Sequence, residues 1–175
     1  MHISKRQKMR ILFLALALLT IFLLEGSTIP FANERASDDG FFPVVKVVDG
    51  DTIDVRIANK EERVRLIGIN TPETVDPNRP VECFGIEASN KAKDLLEGKR
   101  VRLEADASQQ ERDKYDRLLR FVFLEDGTNV NALMIREGYA YEYTYNLPYK
   151  YQTEFKDAER DARTNSRGLW GSECR

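Results

Sequence analysis

The sequence predicts an α+β domain that is mainly β: a small Greek-key barrel of five strands with about three helices packed against it. Five short segments have strand composition, and several of them alternate apolar with polar residues. An Asp-Gly pair separates the first two segments, and a helical pattern separates the third from the fourth. This order of elements is typical of a small Greek-key barrel. A length of 175 residues suits one such domain.

The first three strands are predicted at residues 44–48, 52–57 and 63–69. Asp49-Gly50 is a strong hairpin signal between the first two. In the second and third segments, apolar residues alternate with charged ones, which gives each strand one core face and one solvent face. Pro72 ends the third strand, because proline has no N–H to donate to a sheet.

A first helix is predicted by apolar residues at helical spacing: Phe84, Ala88, Ala92 and Leu95. Gly98 lies where a C-terminal cap is expected. Two more strands are predicted at 99–105 and 118–124, followed by a short helix at 130–137 that ends at Gly138. A last amphipathic helix is marked by Tyr151, Phe155, Ala158 and Ala162.

The charge balance excludes a globally basic nucleic-acid binder. The chain has 27 basic and 29 acidic residues, for a net charge of −2. Four basic residues and no acid lie within the first ten, which leaves 23 basic against 29 acidic residues, a net of −6, in the remainder. A local basic site is still compatible with this balance.

The single histidine restricts the chemistry further. It is His2, inside the basic N-terminal stretch, so the remaining chain cannot use Ser-His-Asp catalysis or a histidine zinc site. Two cysteines are too few for a cysteine-only zinc site, and there is no phosphate-loop or dinucleotide-binding glycine motif. Catalysis must therefore use carboxylates, Arg, Lys, Tyr or a hard metal ion.

The N-terminal segment indicates export. Residues 11–24 are apolar except for one threonine, and as a helix they would span about 21 Å, less than the ~30 Å core of a bilayer. We therefore expect residues 1–24 to be a signal peptide, although an uncleaved anchor is an alternative because no clear cleavage site follows. Residues 25–41 are predicted to be a linker and 42–175 the folded domain, secreted or held outside the membrane.

Export also favours a bond between the two cysteines. In an oxidising compartment, an even and small number of cysteines favours a disulfide, here between Cys83 and Cys174. The alternative is a pair of unpaired thiols.

Polar residues follow two of the predicted strands. Asp49 and Asp51 flank a tight turn and could supply oxygen ligands to a hard cation such as Ca²⁺, although Asp-Gly is also an ordinary turn. Arg65 lies on the polar face of the third strand, and Asn70, Thr71 and Glu73 cluster where that strand ends. A carboxylate beside a metal could deprotonate a water, and an arginine could bind a phosphoryl oxygen; alternatively, the cluster is only a polar strand end.

Two further segments could bind a nucleotide. In DKYDR, Arg117 could offset transition-state charge together with Arg65, while Lys114 and Tyr115 could bind a terminal phosphate and stack on a base. A polar hairpin loop is the alternative. Six of the seven tyrosines lie between Tyr139 and Tyr151, where they could form a base-stacking platform or pack on the barrel.

Together, the segments DGDT, RLIGINTPE, FGIEAS and DKYDR resemble, in order and spacing, the thermonuclease (staphylococcal-nuclease-like) family over about residues 44–170. Members of that family are OB-fold, Ca²⁺-dependent phosphodiesterases that cleave DNA and RNA. The resemblance implies that Asp51 is a metal ligand and that Asn70 and the Thr71 carbonyl occupy the other ligand positions. It implies that Glu73 orients or deprotonates the attacking water.

The same resemblance places Arg65 and Arg117 on the scissile phosphate. It places Lys114 and Tyr115 on the other phosphate of the nucleotide. Tyr143 and Tyr145 match the family's stacking tyrosines with a shift of one residue.

One position departs from the family pattern. Asn70 stands where a second metal carboxylate is found in the best-studied pattern, so we expect weaker Ca²⁺ binding or tolerance of another divalent cation.

The sequence thus predicts an exported, monomeric, Ca²⁺-dependent nuclease, with endonuclease action expected, that hydrolyses DNA, RNA or both. The alternative is a non-catalytic OB-fold module that binds nucleic acid or another extracellular ligand. A carboxylate-pair glycosidase would leave Arg65 and Arg117 without a role.

Overall fold

A computed structural model describes residues 39–74 and 80–174. Within that part of the chain the strands are β1 (Phe41–Asp49), β2 (Thr52–Ile57), β3 (Lys60–Leu66), β4 (Ile69–Asn70), β5 (Arg100–Glu104), β6 (Leu118–Phe123) and β7 (Tyr141–Glu142). The helices are α1 (Gly85–Leu96), α2 (Val130–Arg136) and α3 (Gln152–Thr164), followed by the 3₁₀ turns Gly168–Trp170 and Ser172–Cys174. The expected signal peptide or anchor and most of the expected linker lie outside the described residues.

Five of these strands form a closed barrel in the order β1-β2-β3-β6-β5. Neighbouring strands are antiparallel except for β3 and β6, which run parallel and close the barrel. α1 lies in sequence between β4 and β5, so the predicted barrel with three packed helices is confirmed.

β1 serves two sides of the barrel. Its first residues, Phe41 to Pro43, pair with β5, and the rest of the strand pairs with β2. The register with β2 shifts twice, between Val44 and Lys46 and between Val47 and Asp49. Such irregularities bend a strand, which allows one strand to contribute to both sides of a small barrel.

The third strand lies three residues earlier in the chain than the sequence predicts. The expected segment 63–69 is divided, because β3 ends at Leu66 and Gly68 has a φ of +77°, a conformation outside the strand region. Ile69 and Asn70 instead pair with Glu142 and Tyr141 to form a separate two-stranded sheet. The alternation of residues 63–66 ends at the consecutive apolar residues Leu66 and Ile67, directly before this break.

The core lies inside the barrel and between its wall and the helices. α3 buries Phe155, Ala158 and Ala162, as its apolar stripe predicts. α2 is bonded to the barrel through the fully buried Asn131, whose side chain accepts from the Val122 N–H (2.9 Å) and donates to the Ile67 carbonyl (2.8 Å). In residues 39–74 and 80–174, no helix is long and apolar enough to span a membrane.

The two cysteines form a disulfide. Cys83, just before α1, is bonded to Cys174 in the last 3₁₀ turn, with the two Cα atoms 5.7 Å apart. The bridge closes a loop with a sequence separation of 91 residues. It therefore joins the C-terminal segment to the loop that connects β4 with α1.

Removing this bridge should destabilise the fold. We expect the Cys83→Ser/Cys174→Ser variant to lose about 4 kcal/mol of unfolding free energy in urea titration, because an open loop of this length gains conformational entropy when it unfolds. A dithiol reductant should lower the stability of the wild type to that of the variant and leave the variant unchanged. A loss below about 1 kcal/mol would contradict this account.

Candidate active site

The candidate residues converge where β1, β2, β3 and β6 meet. Asp51 lies in the turn between β1 and β2, and Arg65 lies on β3 opposite Thr52. On its other side, Arg65 is in register with Leu119 of β6, two residues after Arg117. The strand register therefore brings together three segments that are far apart in sequence.

Asp51 is buried and its carboxylate has three partners. Its Oδ1 accepts from the Thr52 hydroxyl (3.0 Å), and its Oδ2 accepts from the Thr71 N–H (3.0 Å). The same Oδ2 lies 3.0 Å from Nη2 of Arg65. Because Gly50 lacks a side chain, the turn can pack tightly on Thr71; a Cβ at Gly50 would lie 2.6 Å from Thr71 Cγ2.

Arg65 is the most heavily bonded group of the site, with only 13% of its side chain exposed. Nη1 donates to the carbonyls of Leu66 and Ile69, both at 2.9 Å. Nη2 donates to Asn70 Oδ1 (3.2 Å) as well as pairing with Asp51. The guanidinium thus links β3, β4 and the β1–β2 turn.

Charges around Arg65 act in opposite directions. Burial lowers the pKa of its guanidinium, and the positive charge of Arg117 lowers it further, whereas the negative charges of Asp51 and Asp113 raise it. Each arginine is paired with an aspartate, Arg65 with Asp51 and Arg117 with Asp113, so acidic and basic groups alternate here.

Asp113 holds Arg117 in place, a role that the sequence analysis did not assign. Its Oδ2 accepts from Arg117 Nε (2.7 Å) and lies 2.6 Å from Nη2. Its Oδ1 accepts from the backbone N–H groups of Arg117 (3.0 Å) and Tyr115 (2.9 Å). Because this segment is not helical, the spacing of four residues between Asp113 and Arg117 does not by itself predict the pair.

The Lys114-Tyr115 pair lies at the exposed edge of this region. Tyr115 is 67% exposed, and its ring lies 4.9 Å from Lys114 Nζ and 5.2 Å from the Arg117 guanidinium carbon. An exposed ring flanked by two cations is suited to contact a base and its phosphates.

Glu73 lies on the loop after β4, and its backbone is bonded to Glu82. Its N–H donates to Glu82 Oε2 (3.1 Å), and its carbonyl accepts from the Glu82 N–H (2.9 Å). Its own Oε1 accepts from the Thr74 N–H (2.9 Å).

Asp49 connects the turn to the same loop. Its Oδ1 accepts from the Gly50 N–H (2.8 Å) and from the Thr74 hydroxyl (2.7 Å). Burial raises the pKa of this carboxyl, these hydrogen bonds lower it, and the nearby charges of Asp51 and Glu73 raise it, with a net increase. Asp49, Asp51 and Glu73 therefore form one acidic neighbourhood.

The tyrosines of the run fall into two groups, one exposed and one packed against other aromatic rings. Tyr143 and Tyr145 are exposed, with ring centroids 6.3 Å apart. The other tyrosines of the run pack: Tyr149 on Phe155 at 5.4 Å, Tyr151 on Phe121 at 4.7 Å, Tyr139 on Phe84 at 5.4 Å and Tyr141 on Trp170 at 5.2 Å. Packing thus accounts for four of the six tyrosines, while base stacking by Tyr143 and Tyr145 stays a prediction.

The oxygen donors fit a hard cation, although no cluster of three or more Asp, Glu, His or Cys side chains suited to a metal occurs among residues 39–74 and 80–174. Asp51 Oδ2 and Asn70 Oδ1 both contact the single atom Nη2 of Arg65, so these oxygens already converge on a positive group. Thr71 Oγ1 is buried and has no hydrogen-bond partner in the described chain. A carboxylate, an amide oxygen and a main-chain carbonyl are ligands that Ca²⁺ accepts.

The fold and the site together define a class: a small barrel that gathers carboxylates and arginines at one edge, an arrangement suited to phosphate chemistry. A family model described as "Staphylococcal nuclease homologue" matches residues 63–172. The chain is 37% identical over 152 residues to a protein named "Thermonuclease" of Staphylococcus hyicus, covering 86% of this chain and 88% of that protein. It is 39% identical over 162 residues to the "Thermonuclease" of Staphylococcus intermedius, covering 91% and 95%.

A further relative is "Endonuclease YncB" of Bacillus subtilis (strain 168), 36% identical over 126 residues, with coverage of 71% of this chain and 59% of that protein. The chain belongs to the staphylococcal nuclease homologue family.

The Asp113–Arg117 pair should make stability depend on pH. Burial alone would raise the pKa of Asp113, but its bonds to Arg117 and to two backbone N–H groups lower it overall. A lowered folded-state pKa stabilises the fold above the unfolded-state value of about 3.9, and this stabilisation is lost as pH falls through the folded-state pKa.

We therefore expect Asp113→Asn to lower the unfolding free energy by about 1 kcal/mol at pH 6 and by less at pH 3 and below. Denaturant titrations across this range measure the difference, with the exposed Asp94→Asn as the matched control. An equal loss at every pH would contradict the ion-pair account.

Proposed function

We propose that this chain is an exported nuclease that hydrolyses phosphodiester bonds of DNA, RNA or both with the help of a divalent cation. The observation that carries the proposal is the convergence of Asp51 and Asn70 on Arg65, which is in register with Leu119, two residues after Arg117. This places oxygen ligands and two guanidinium groups in one small region, as a phosphodiesterase needs. Membership in the family, and the names of its relatives, support the same activity.

Ca²⁺ is the proposed cation, held by Asp51, Asn70 and the Thr71 carbonyl. When bound, it would supply a positive charge that polarises a phosphoryl oxygen and lowers the pKa of a water. Asn70 provides a neutral amide in place of a carboxylate, which favours weaker binding of Ca²⁺ and leaves room for another divalent cation.

The two arginines are proposed to bind the scissile phosphate. Arg117 contacts the Asp113 carboxylate through Nε and Nη2, and its Nη1 makes no hydrogen bond to the described residues. Arg65 can offer Nη2 to a phosphate once the oxygens of Asp51 and Asn70 release it. Both groups would stabilise the charge that develops on the phosphorus oxygens.

Glu73 is proposed to take the proton of the attacking water. Glu73 is a carboxylate two residues after Thr71, a proposed cation ligand, and the described residues contain no histidine that could take the proton. The water then attacks phosphorus in line with the leaving oxygen, and the P–O bond to that oxygen breaks.

Substrate binding is assigned to the exposed edge of the site. Lys114 and Tyr115 would hold the neighbouring phosphate, and Tyr143 and Tyr145 would stack on bases. Since the chain outside its first ten residues has a net charge of −6, attraction of a polyanion must come from these local cations. We further propose that the protein acts as a monomer, secreted or anchored by residues 1–24.

The proposed mechanism requires both a carboxylate and a cation. We expect Glu73→Gln to lower kcat on DNA about 100-fold or more, and Arg117→Ala to lower it to a similar degree, because a general base and a charge-stabilising donor are lost. A chelator should abolish cleavage, and added Ca²⁺ should restore it. Exposed Glu87→Gln and Arg160→Ala, which make the same kinds of change elsewhere, serve as controls.

Full activity in Glu73→Gln or Arg117→Ala would overturn the mechanism. Tight binding of DNA without turnover, unaffected by Glu73→Gln, would support the non-catalytic OB-fold module instead.

The ligand role of Asn70 can be tested by restoring a carboxylate. Asn70→Asp should tighten Ca²⁺ binding about tenfold, since ligand charge is a main determinant of affinity at oxygen sites. Calorimetric titration without substrate measures the dissociation constant, and Asn90→Asp, an exposed position on α1, adds the same charge elsewhere. An unchanged affinity in Asn70→Asp would show that this residue is not a ligand.

A further inference from the structure

Both backbone polar groups of Glu73, its N–H and its carbonyl, are hydrogen-bonded to Glu82. Glu82 accepts from the Glu73 N–H through Oε2 (3.1 Å) and donates its own N–H to the Glu73 carbonyl (2.9 Å). Glu73 belongs to neither a helix nor a strand. The bonds to Glu82 therefore take the place of the backbone hydrogen bonds that would fix a residue inside a sheet.

The turn that carries Glu82 also packs closely on the Glu73 segment. Gly85 donates its N–H to the Glu82 carbonyl (3.0 Å), which closes the turn before α1. A Cβ at Gly85 would lie 2.7 Å from Thr74 Cγ2 and 3.2 Å from the Glu73 carbonyl oxygen. The two segments are in van der Waals contact as well as hydrogen-bonded, so a displacement of the turn would displace Glu73.

The same turn is covalently tied to the end of the chain. Cys83, next to Glu82, is bonded to Cys174. The C-terminal segment is in turn fixed to the domain, because Leu169 donates its N–H to the Gly138 carbonyl (2.8 Å) at the end of α2. A Cβ on Gly138 would lie 2.3 Å from the Arg167 carbonyl oxygen, which shows how closely these backbones approach.

We propose that Glu82, held in place by the Cys83–Cys174 disulfide, is a positioning residue for the catalytic carboxylate of Glu73. This inference rests on the role given to Glu73 under the proposed function. The path runs from the C-terminal segment through the disulfide to the 82–85 turn, and from Glu82 to the backbone of Glu73.

A loss of positioning has a kinetic signature. A misplaced general base slows the chemical step, since displacements of about 1 Å can lower rates by about 100-fold. Arg117 and Lys114 lie in a different segment, directly before β6, and should bind the substrate as before. We therefore expect kcat to fall while KM is unchanged.

The first test replaces Glu82. Glu82→Ala removes the acceptor for the Glu73 N–H and should lower kcat on DNA about tenfold or more, with KM within about twofold of wild type. Glu82→Gln retains an acceptor oxygen and should restore most of kcat, although it removes the charge. Glu87→Ala, an exposed glutamate in the first turn of α1, controls for loss of acidic charge in this region.

The second test asks whether the disulfide acts through Glu82. Cys83→Ser/Cys174→Ser should lower kcat by a similar factor, measured well below the unfolding temperature of each variant. Combined with Glu82→Ala, it should cause little further loss, because both changes break one path. Independent, multiplicative effects would show that the disulfide does not act through Glu82.

The outcomes separate this inference from the proposed function. Wild-type kcat in Glu82→Ala, with Glu73→Gln inactive, would overturn the positioning role and leave the nuclease mechanism intact. Full activity in Glu73→Gln would instead overturn the mechanism itself. Equal losses in Glu82→Ala and Glu82→Gln would show that charge, and not the hydrogen bond to Glu73, is what matters.

Discussion

The site depends on a buried guanidinium. An unpaired charge with the burial of Arg65 would cost several kcal/mol, so the surrounding chain must supply acceptors. Asp51, Asn70 and the carbonyls of Leu66 and Ile69 do so. These groups are held in place by their bonds to the Arg65 guanidinium. The bond to Asp51 thereby holds the turn between β1 and β2 against the end of β3. The geometry of the proposed cation ligands follows from this one requirement.

This arrangement also explains how an acidic chain can present a site for a polyanion. Burial raises the pKa of Asp49, and the negative charges of Asp51 and Glu73 raise it further, so three carboxylates act on one another here. Arg65 and Arg117 partly offset that charge and leave a site in which acidic and basic groups alternate. Attraction of the substrate then acts at short range, since the charge of the rest of the chain does not assist it.

Much of this fold could be predicted from the sequence, because the barrel strands and the packed helices show a clear periodicity of apolar residues. The hairpin at Asp49-Gly50 and the apolar stripe of α3 are examples. The break at Gly68 was not predicted, because the strand that pairs with Ile69 and Asn70 lies about 70 residues further along the chain, in β7. For the same reason, the bonds of Asp113 and Glu82 were missed: each depends on a side chain's position in the folded chain.

Two different kinds of constraint hold the two halves of the site. The half that we propose binds phosphate is built on or beside strands, where the barrel register and the charge of Arg65 position the groups. Glu73 lies on a loop, where no sheet fixes the backbone, and functional loops need a rigid support to be precise. The 82–85 turn supplies that support, and the disulfide ties this turn to Cys174, which is 91 residues further along the chain. A covalent tie at the C-terminus is thus coupled to the catalytic centre, although neither cysteine lies among the groups proposed to touch the substrate.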